Sequence, residues 1–230
     1  GEKFDLWKLG WSTFMQVPHK VETDNDVKLL VQGNVKRFWG SDECAPAFLD
    51  QVYISGSWVG NRTVQIFSGS LESDRNFSVS IDNGPRLKID DADGTTFLSD
   101  PHVSVTGTIV SQDPTLWRPD AMVVLDVGDV KVEVVQHTEG RFEESMAMLD
   151  ISVPDIDQIS ETLGGWLGVD GSEGAGEAPP ECATQRPSLS AINVPVQSGQ
   201  VSKATFVSRL MVKRSSVGSR KKRFNEYCPA

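Results

Sequence analysis

The sequence predicts an all-β sandwich, and three observations carry that expectation. Apolar residues recur with a period of two in one segment after another, helical signal is thin, and 20 glycines and 12 prolines in 230 residues supply turns between short strands. Successive side chains of a strand point to opposite faces of the sheet, so alternation marks a strand with one buried face.

The segments follow in order. Asp26–Gln32 reads as a strand. In 51–59, Val52, Ile54 and Trp58 share one face while Gln51, Ser55 and Ser57 share the other. Arg62–Ser68 reads as a strand, and in 76–82 Phe77, Val79 and Ile81 alternate with polar neighbours. The same alternation recurs at Val103/Val105/Ile109, Val130/Val132/Val134, Leu149/Ile151/Val153 and Phe206/Leu210/Val212. Ala121–Val127 is more continuously apolar and predicts a central strand, which makes about nine strands. Asp155 is placed to cap a short helix carrying Ile156, Ile159, Leu163 and Trp166, weakened by Gly164-Gly165, and a second helical turn is expected around Val35–Asp50. No strand–helix–strand rhythm appears, which argues against a parallel α/β sheet.

Charge is unevenly spread. The net charge is −10, yet residues 182–230 carry nine basic side chains against Glu226 alone. That leaves 13 basic and 31 acidic side chains, a charge of −18, on the first 181 residues. An acidic body disfavours nucleic-acid binding along its surface. The basic clusters Lys213-Arg214 and Arg220-Lys221-Lys222-Arg223 predict docking on an acidic protein neighbour. RNA contact is the competing reading, with no aromatic platform nearby to support it. No apolar run reaches the roughly 18–20 residues of a membrane span, and Gly1-Glu2-Lys3-Phe4 has no leader character, so a soluble chain without a signal peptide is expected.

Cys44, Cys182 and Cys228 form no C-x-x-C pair; the expectation is neither a disulfide framework nor a zinc site, in a reducing compartment. The triplets Asn61-Arg62-Thr63 and Asn76-Phe77-Ser78 match glycosylation acceptors, which matter only in a secreted chain. No G-x-S-x-G elbow and no phosphate-binding glycine loop occurs, and His19, His102 and His137 sit in no motif, so no catalytic residue and no cofactor is expected. The metal candidates are Asp91, Asp93 and Asp100 around Asp90-Asp91-Ala92-Asp93-Gly94. They match three positions of a calcium loop, but Ile89 stands where the first ligand belongs. The plainer reading there is a polar turn between strands.

The order of elements resembles the eight-stranded antiparallel jelly-roll capsid proteins of picorna-like viruses (picornavirus, dicistrovirus, iflavirus and comovirus groups). Leu9-Gly10-Trp11-Ser12-Thr13-Phe14 with Val27–Gln32 resembles the opening strands, and Phe38-Trp39 through Phe48-Leu49 the short helix. Val52 to Phe67 resembles one long strand with an aromatic–glycine step. Val123–Val127, Val130–Val135 and Glu139-Gly140-Arg141-Phe142 resemble the strand entering the symmetry-axis loop, and Met148–Pro154 the strand after it. A long surface loop would follow, matching 168–189, and Phe206–Val212 would close the fold. No Asp-Asp-Phe occurs, so no maturation cleavage is implied.

The resemblance implies an arm and first strand in 1–25, a jelly-roll domain in 26–213 and a basic tail in 214–230. It also implies release from a polyprotein and assembly with other capsid subunits into an icosahedral shell, with a virion location after assembly in host cytoplasm. Exposed Phe4, Trp7, Trp11 and Phe14 would then be buried by neighbours. The alternative is a secreted or surface β-sandwich binding module recognising carbohydrate or a receptor, with Trp58 or Trp117 as stacking platforms. A calcium-dependent or hydrolytic sandwich enzyme stands third.

Overall fold

A computed structural model describes residues 3–4, 6–37, 44, 47–69, 76–89, 94–110, 119–139, 146–177, 179–182 and 210–211. Among them the chain is all-β. The strands are β1 (Lys3–Phe4), β2 (Gly10–Val17), β3 (Leu29–Lys36), β4 (Phe48–Ser55), β5 (Val64–Phe67), β6 (Ser78–Ile81) and β7 (Leu87–Lys88). They continue with β8 (Thr95–Asp100), β9 (Val103–Ile109), β10 (Pro119–Asp126), β11 (Lys131–Glu139), β12 (Met146–Ser152) and β13 (Leu210–Met211). The helical pieces among the described residues are short 3₁₀ turns.

β2 to β12 form one antiparallel sheet made of two meanders, β2–β7 and β8–β12, in which strands consecutive in sequence pair. The sheet curls like a barrel, since β8 at one end lies against β6 near the other. Inward positions follow the period of two: Val31 and Val35, Val52 and Ile54, Val64 and Ile66, Val103 and Val105, Val123 and Leu125, Val132 and Val134 are all buried in one shared core. β2 breaks the rhythm at a register shift between Thr13 and Met15, which turns both Phe14 and Met15 inward. Opposite them Gly33 leaves room: a Cβ there would lie 2.6 Å from the Phe14 ring and 2.7 Å from Leu49.

The two meanders join along one edge of β4. Leu49 pairs with Leu149 of β12, then Gln51 to Ile54 pair with β5. Where the neighbours change, the Ser68 N–H donates to the Asp50 carbonyl (2.9 Å) and the Gly69 N–H to Gln136 Oε1 (2.9 Å). Gln136 is fully buried and so caps the gap from inside the sheet.

β2 would be a free edge on its side away from β3. The segment after β12 closes it. Gly164 exchanges backbone hydrogen bonds with Gln16, the His19 N–H donates to the Thr162 carbonyl, the Trp166 N–H to Thr13 and the Leu167 N–H to Phe14. An edge so covered offers no template for another chain. Farther on, the Ala175 carbonyl accepts from both Trp7 and Lys8 N–H groups (2.8 and 2.7 Å), and Trp166 packs on Phe14 with ring centroids 4.6 Å apart. A disulfide between Cys44 and Cys182, Cα atoms 5.0 Å apart, ties the end of this strap to the approach to β4.

Of the expected fold the all-β class is shown, while the eight-stranded jelly roll, which sets non-consecutive strands side by side through two Greek keys, is not confirmed. Among the described residues only β1–β13 and β4–β12 are such pairs, so the two-meander order is what these residues display. Val52 to Phe67 is not one strand but a hairpin, β4 turning through a 3₁₀ turn at Ser57–Val59 into β5. The helix at Ile156 shortens to Ile156–Gln158, and Asp155 makes no side-chain cap bond. The helical turn expected around 35–50 meets strand at both described ends, and 38–43 and 45–46 lie outside the described residues. The long loop of 168–189 holds only 3₁₀ turns where it is described; it buries Ala175 and Cys182 and leaves Val169 exposed, with 178 and 183–189 outside the described residues. The absence of a disulfide is overturned by Cys44–Cys182, whose partners stand 138 residues apart in sequence and are brought together by the strap. The last strand among the described residues is Leu210–Met211, inside the expected 206–212, with Phe206 and Val212 outside the described residues.

The strap depends on glycine. Gly165 has φ 80°, and a Cβ on it would lie 2.7 Å from the Phe14 carbonyl group, whereas Gly171 has φ 64° and open space around it. Gly165→Ala is expected to cost more than about 2 kcal/mol through backbone strain and a clash that backbone atoms cannot yield to. Gly171→Ala pays only the left-handed term of about 1 kcal/mol. Urea denaturation of the two variants measures the difference; equal losses would mean that the strap does not press on β2.

Candidate functional site

Turns at one end of the sheet enclose an open cleft of about 740 Å³. Trp58 comes from the β4–β5 turn, Asp100 and His102 from the β8–β9 turn, Asp126 and Asp129 from the β10–β11 turn, and Glu161 from the chain leaving β12. Trp58 is half-buried and held by its N–H bond to the Lys28 carbonyl (2.9 Å). Cations flank the carboxylates: Lys28 pairs with Glu161 (2.9 Å), Lys131 lies 3.7 Å from Asp126, and Arg62 pairs with Asp100 (3.2 Å). The cleft thus joins one aromatic ring to acids that are largely neutralised.

Arg62 bridges Asp100 to Asp82, whose carboxylate it meets at 2.8 Å. Asp82 sits at φ 52° in the β6–β7 turn, and it also accepts from the Thr63 N–H (2.9 Å). That backbone bond first, and then Arg62, hold the Asp82 carboxyl below the usual carboxylate range. The hydrogen bond to Asp82 in turn raises the Arg62 guanidinium above its ordinary value.

A second surface lies on the outer face of the first meander. Trp11 is 49% exposed, and its ring stands perpendicular to that of Tyr53 with centroids 6.5 Å apart. Pairing register places amides beside them. Asn34 stands opposite both Trp11 and Gln51, while Gln32, Tyr53 and Gln65 form the adjoining row across β3, β4 and β5. Two of these amides are oriented by neighbours: Gln32 Nε2 donates to Thr13 Oγ1 (3.5 Å) and Gln65 Nε2 to Asn83 Oδ1 (2.7 Å). These residues point outward because their sequence neighbours Val31, Gly33, Val52, Ile54, Val64 and Ile66 point into the core.

The sequence candidates fall as follows. Asp91 and Asp93 lie outside the described residues, and Asp100 is engaged by Arg62. Among the described residues no group of three or more His, Cys, Asp or Glu side chains could hold a metal ion. Lys213, Arg214, Arg220, Lys221, Lys222 and Arg223 lie outside the described residues, as does Trp117. Of the three histidines, His19 meets Asp170 (3.0 Å) across the strap, His137 meets Asp150 (3.0 Å) between β11 and β12, and His102 is exposed in the cleft. Tyr53 and the glutamines were not singled out by sequence. Their signal was the polar half of the same alternation that identified the core.

No family model, curated protein or solved structure matches the chain.

The Arg62 network sets a pH dependence. A carboxyl whose folded-state pKa is lowered stabilises the fold above its unfolded value near 4, and that stabilisation is lost as pH falls through the folded value. Asp82→Asn keeps a residue suited to positive φ while removing the charge. The stability gap between the native protein and Asp82→Asn is expected to be full at pH 7 and to close below about pH 4. Denaturation midpoints across that range measure it; a gap that persists at pH 2 would assign the effect to something other than this carboxylate.

Proposed function

We propose that the chain is a non-catalytic recognition module, secreted or displayed at a surface, that binds its partner through the outer sheet face. The observation that carries this reading is the Cys44–Cys182 disulfide, which belongs to oxidising compartments and fastens the strap over the β2 edge. A curled sheet with that edge covered is a rigid platform, and the aromatic and amide side chains stand on its strands instead of on loops. Asn61-Arg62-Thr63 agrees with the same compartment, since Asn61 is exposed at the β4–β5 turn with φ 56°.

The second reading is a capsid subunit of a picorna-like virus, the function implied by the sequence resemblance. The specific observation favouring it is the exposure of Leu9 (48%) and Trp11 near the start of the chain, apolar surface that a neighbouring subunit would cover. On this reading the basic clusters from Lys213 to Arg223 dock on the acidic body of a neighbour. The two-meander strand order gives it no support, because the family's jelly roll pairs its strands differently.

Two measurements on natively produced protein separate the readings. Alkylation in denaturant without reductant is expected to leave two of the three cysteines unmodified, and light scattering to show a small species instead of a shell. Three reactive thiols would remove the oxidising compartment, and particles hundreds of ångströms across would establish the shell.

A further inference from the structure

We propose that the outer face of β2 to β5 binds a neutral oligosaccharide, with Trp11 and Tyr53 as stacking rings and Gln32, Asn34, Gln51 and Gln65 as hydrogen-bonding partners. The proposal rests on the recognition-module reading and names its ligand. Four strands spaced about 4.8 Å apart make a platform roughly 14 Å across, wide enough for a short run of sugar rings.

The chemistry of the face selects the ligand. On the central stretches Leu30 to Asn34 and Gln51 to Ser55, every outward side chain is uncharged, although the first 181 residues carry −18 overall. A charged ligand finds no counter-charge among these residues. A wholly apolar partner would bury Asn34, Gln51 and the remaining polar atoms of Gln32 and Gln65 without offering them hydrogen bonds, which disfavours it. A neutral sugar meets both features. Its hydroxyls donate and accept, as each carboxamide does with its NH₂ and carbonyl. Its C–H faces pack against aromatic rings, and the perpendicular Trp11–Tyr53 pair offers a ring face beside a ring edge.

The geometry also limits the entropic cost of binding. The amides stand on paired strands, and Thr13 and Asn83 already orient Gln32 and Gln65. Protein-interface cores are richer in apolar side chains than this face, which makes a protein partner the poorer fit.

The test titrates the disulfide-bonded, full-length chain with neutral gluco-, manno-, xylo- and galacto-oligosaccharides, and with a uronic-acid oligosaccharide as the charged comparison. Tryptophan fluorescence and calorimetry report binding. At least one neutral sugar is expected to bind with an affinity insensitive to salt. Trp11→Ala and Tyr53→Ala are each expected to weaken it by about tenfold or more, while the melting temperature of the exposed-site variant Trp11→Ala stays near that of the native chain. The proposal is overturned by silence across all the neutral sugars, by binding of the uronic-acid chain alone, or by neutral-sugar binding that survives Trp11→Ala. Self-association lost in Trp11→Ala would likewise overturn it, by showing a second copy on the face. A small, disulfide-bonded chain that binds no sugar removes the glycan but leaves the module, whereas a shell-sized particle removes the module itself.

Discussion

The edge of β2 is the constraint on which the rest of the molecule depends. β2 is the first strand of the first meander, and its inner residues Phe14 and Met15 are fully buried in the core. Left open, that edge would expose backbone donors and acceptors beside a large apolar surface. The strap from Thr162 to Cys182 covers it with backbone bonds at Gln16, Thr13 and Phe14, then with the Ala175 carbonyl below Trp7 and Lys8. Close approach requires residues without side chains, hence Gly164-Gly165 where the strap meets β2. The disulfide then fixes the far end. In the chain-entropy view a link spanning 138 residues is worth about 5 kcal/mol at most, which is comparable with the net stability of a whole domain.

Closure has a consequence for the outer face. Trp11, Thr13 and their neighbours on β3 to β5 keep their spacing only while β2 stays in register with β3, and the strap holds β2 from its other side. The seam at Gln136 does the same work between the meanders, fixing β4 where it changes partner from β12 to β5. The geometry of the outer face is therefore coupled to packing at two points away from it, the strap along β2 and the Gln136 seam.

Most strands were legible because one-sided burial writes its period directly into sequence. Val103/Val105, Val132/Val134 and Leu149/Ile151 fall inside β9, β11 and β12 as the alternation predicts, and Ala121–Val127 marks β10, paired on both sides. What was not legible is set by distant partners. Gly164-Gly165 reads as a helix breaker from local propensity, and only the presence of Phe14 against it reveals a contact. Cys44 and Cys182 carry no spacing motif, since their proximity is produced by the strap. Strand order is equally silent: the same alternation suits a jelly roll or two meanders, because period two specifies a face and not a neighbour. The outer face went unread for a related reason. Polar positions on a strand look like ordinary solvent-facing residues until register sets Gln32, Tyr53 and Gln65 in one row.

Amide hydrogen exchange at the strap tests the central claim most directly. If the strap is an integral part of the sheet, the N–H groups of Gly164, Trp166 and Leu167 open only with global unfolding, and they exchange as slowly as those of Val123 and Val134 in the central strands. Exchange of the three strap amides within seconds while the central strands stay protected would contradict it, showing the segment to be a surface loop and the β2 edge to be open.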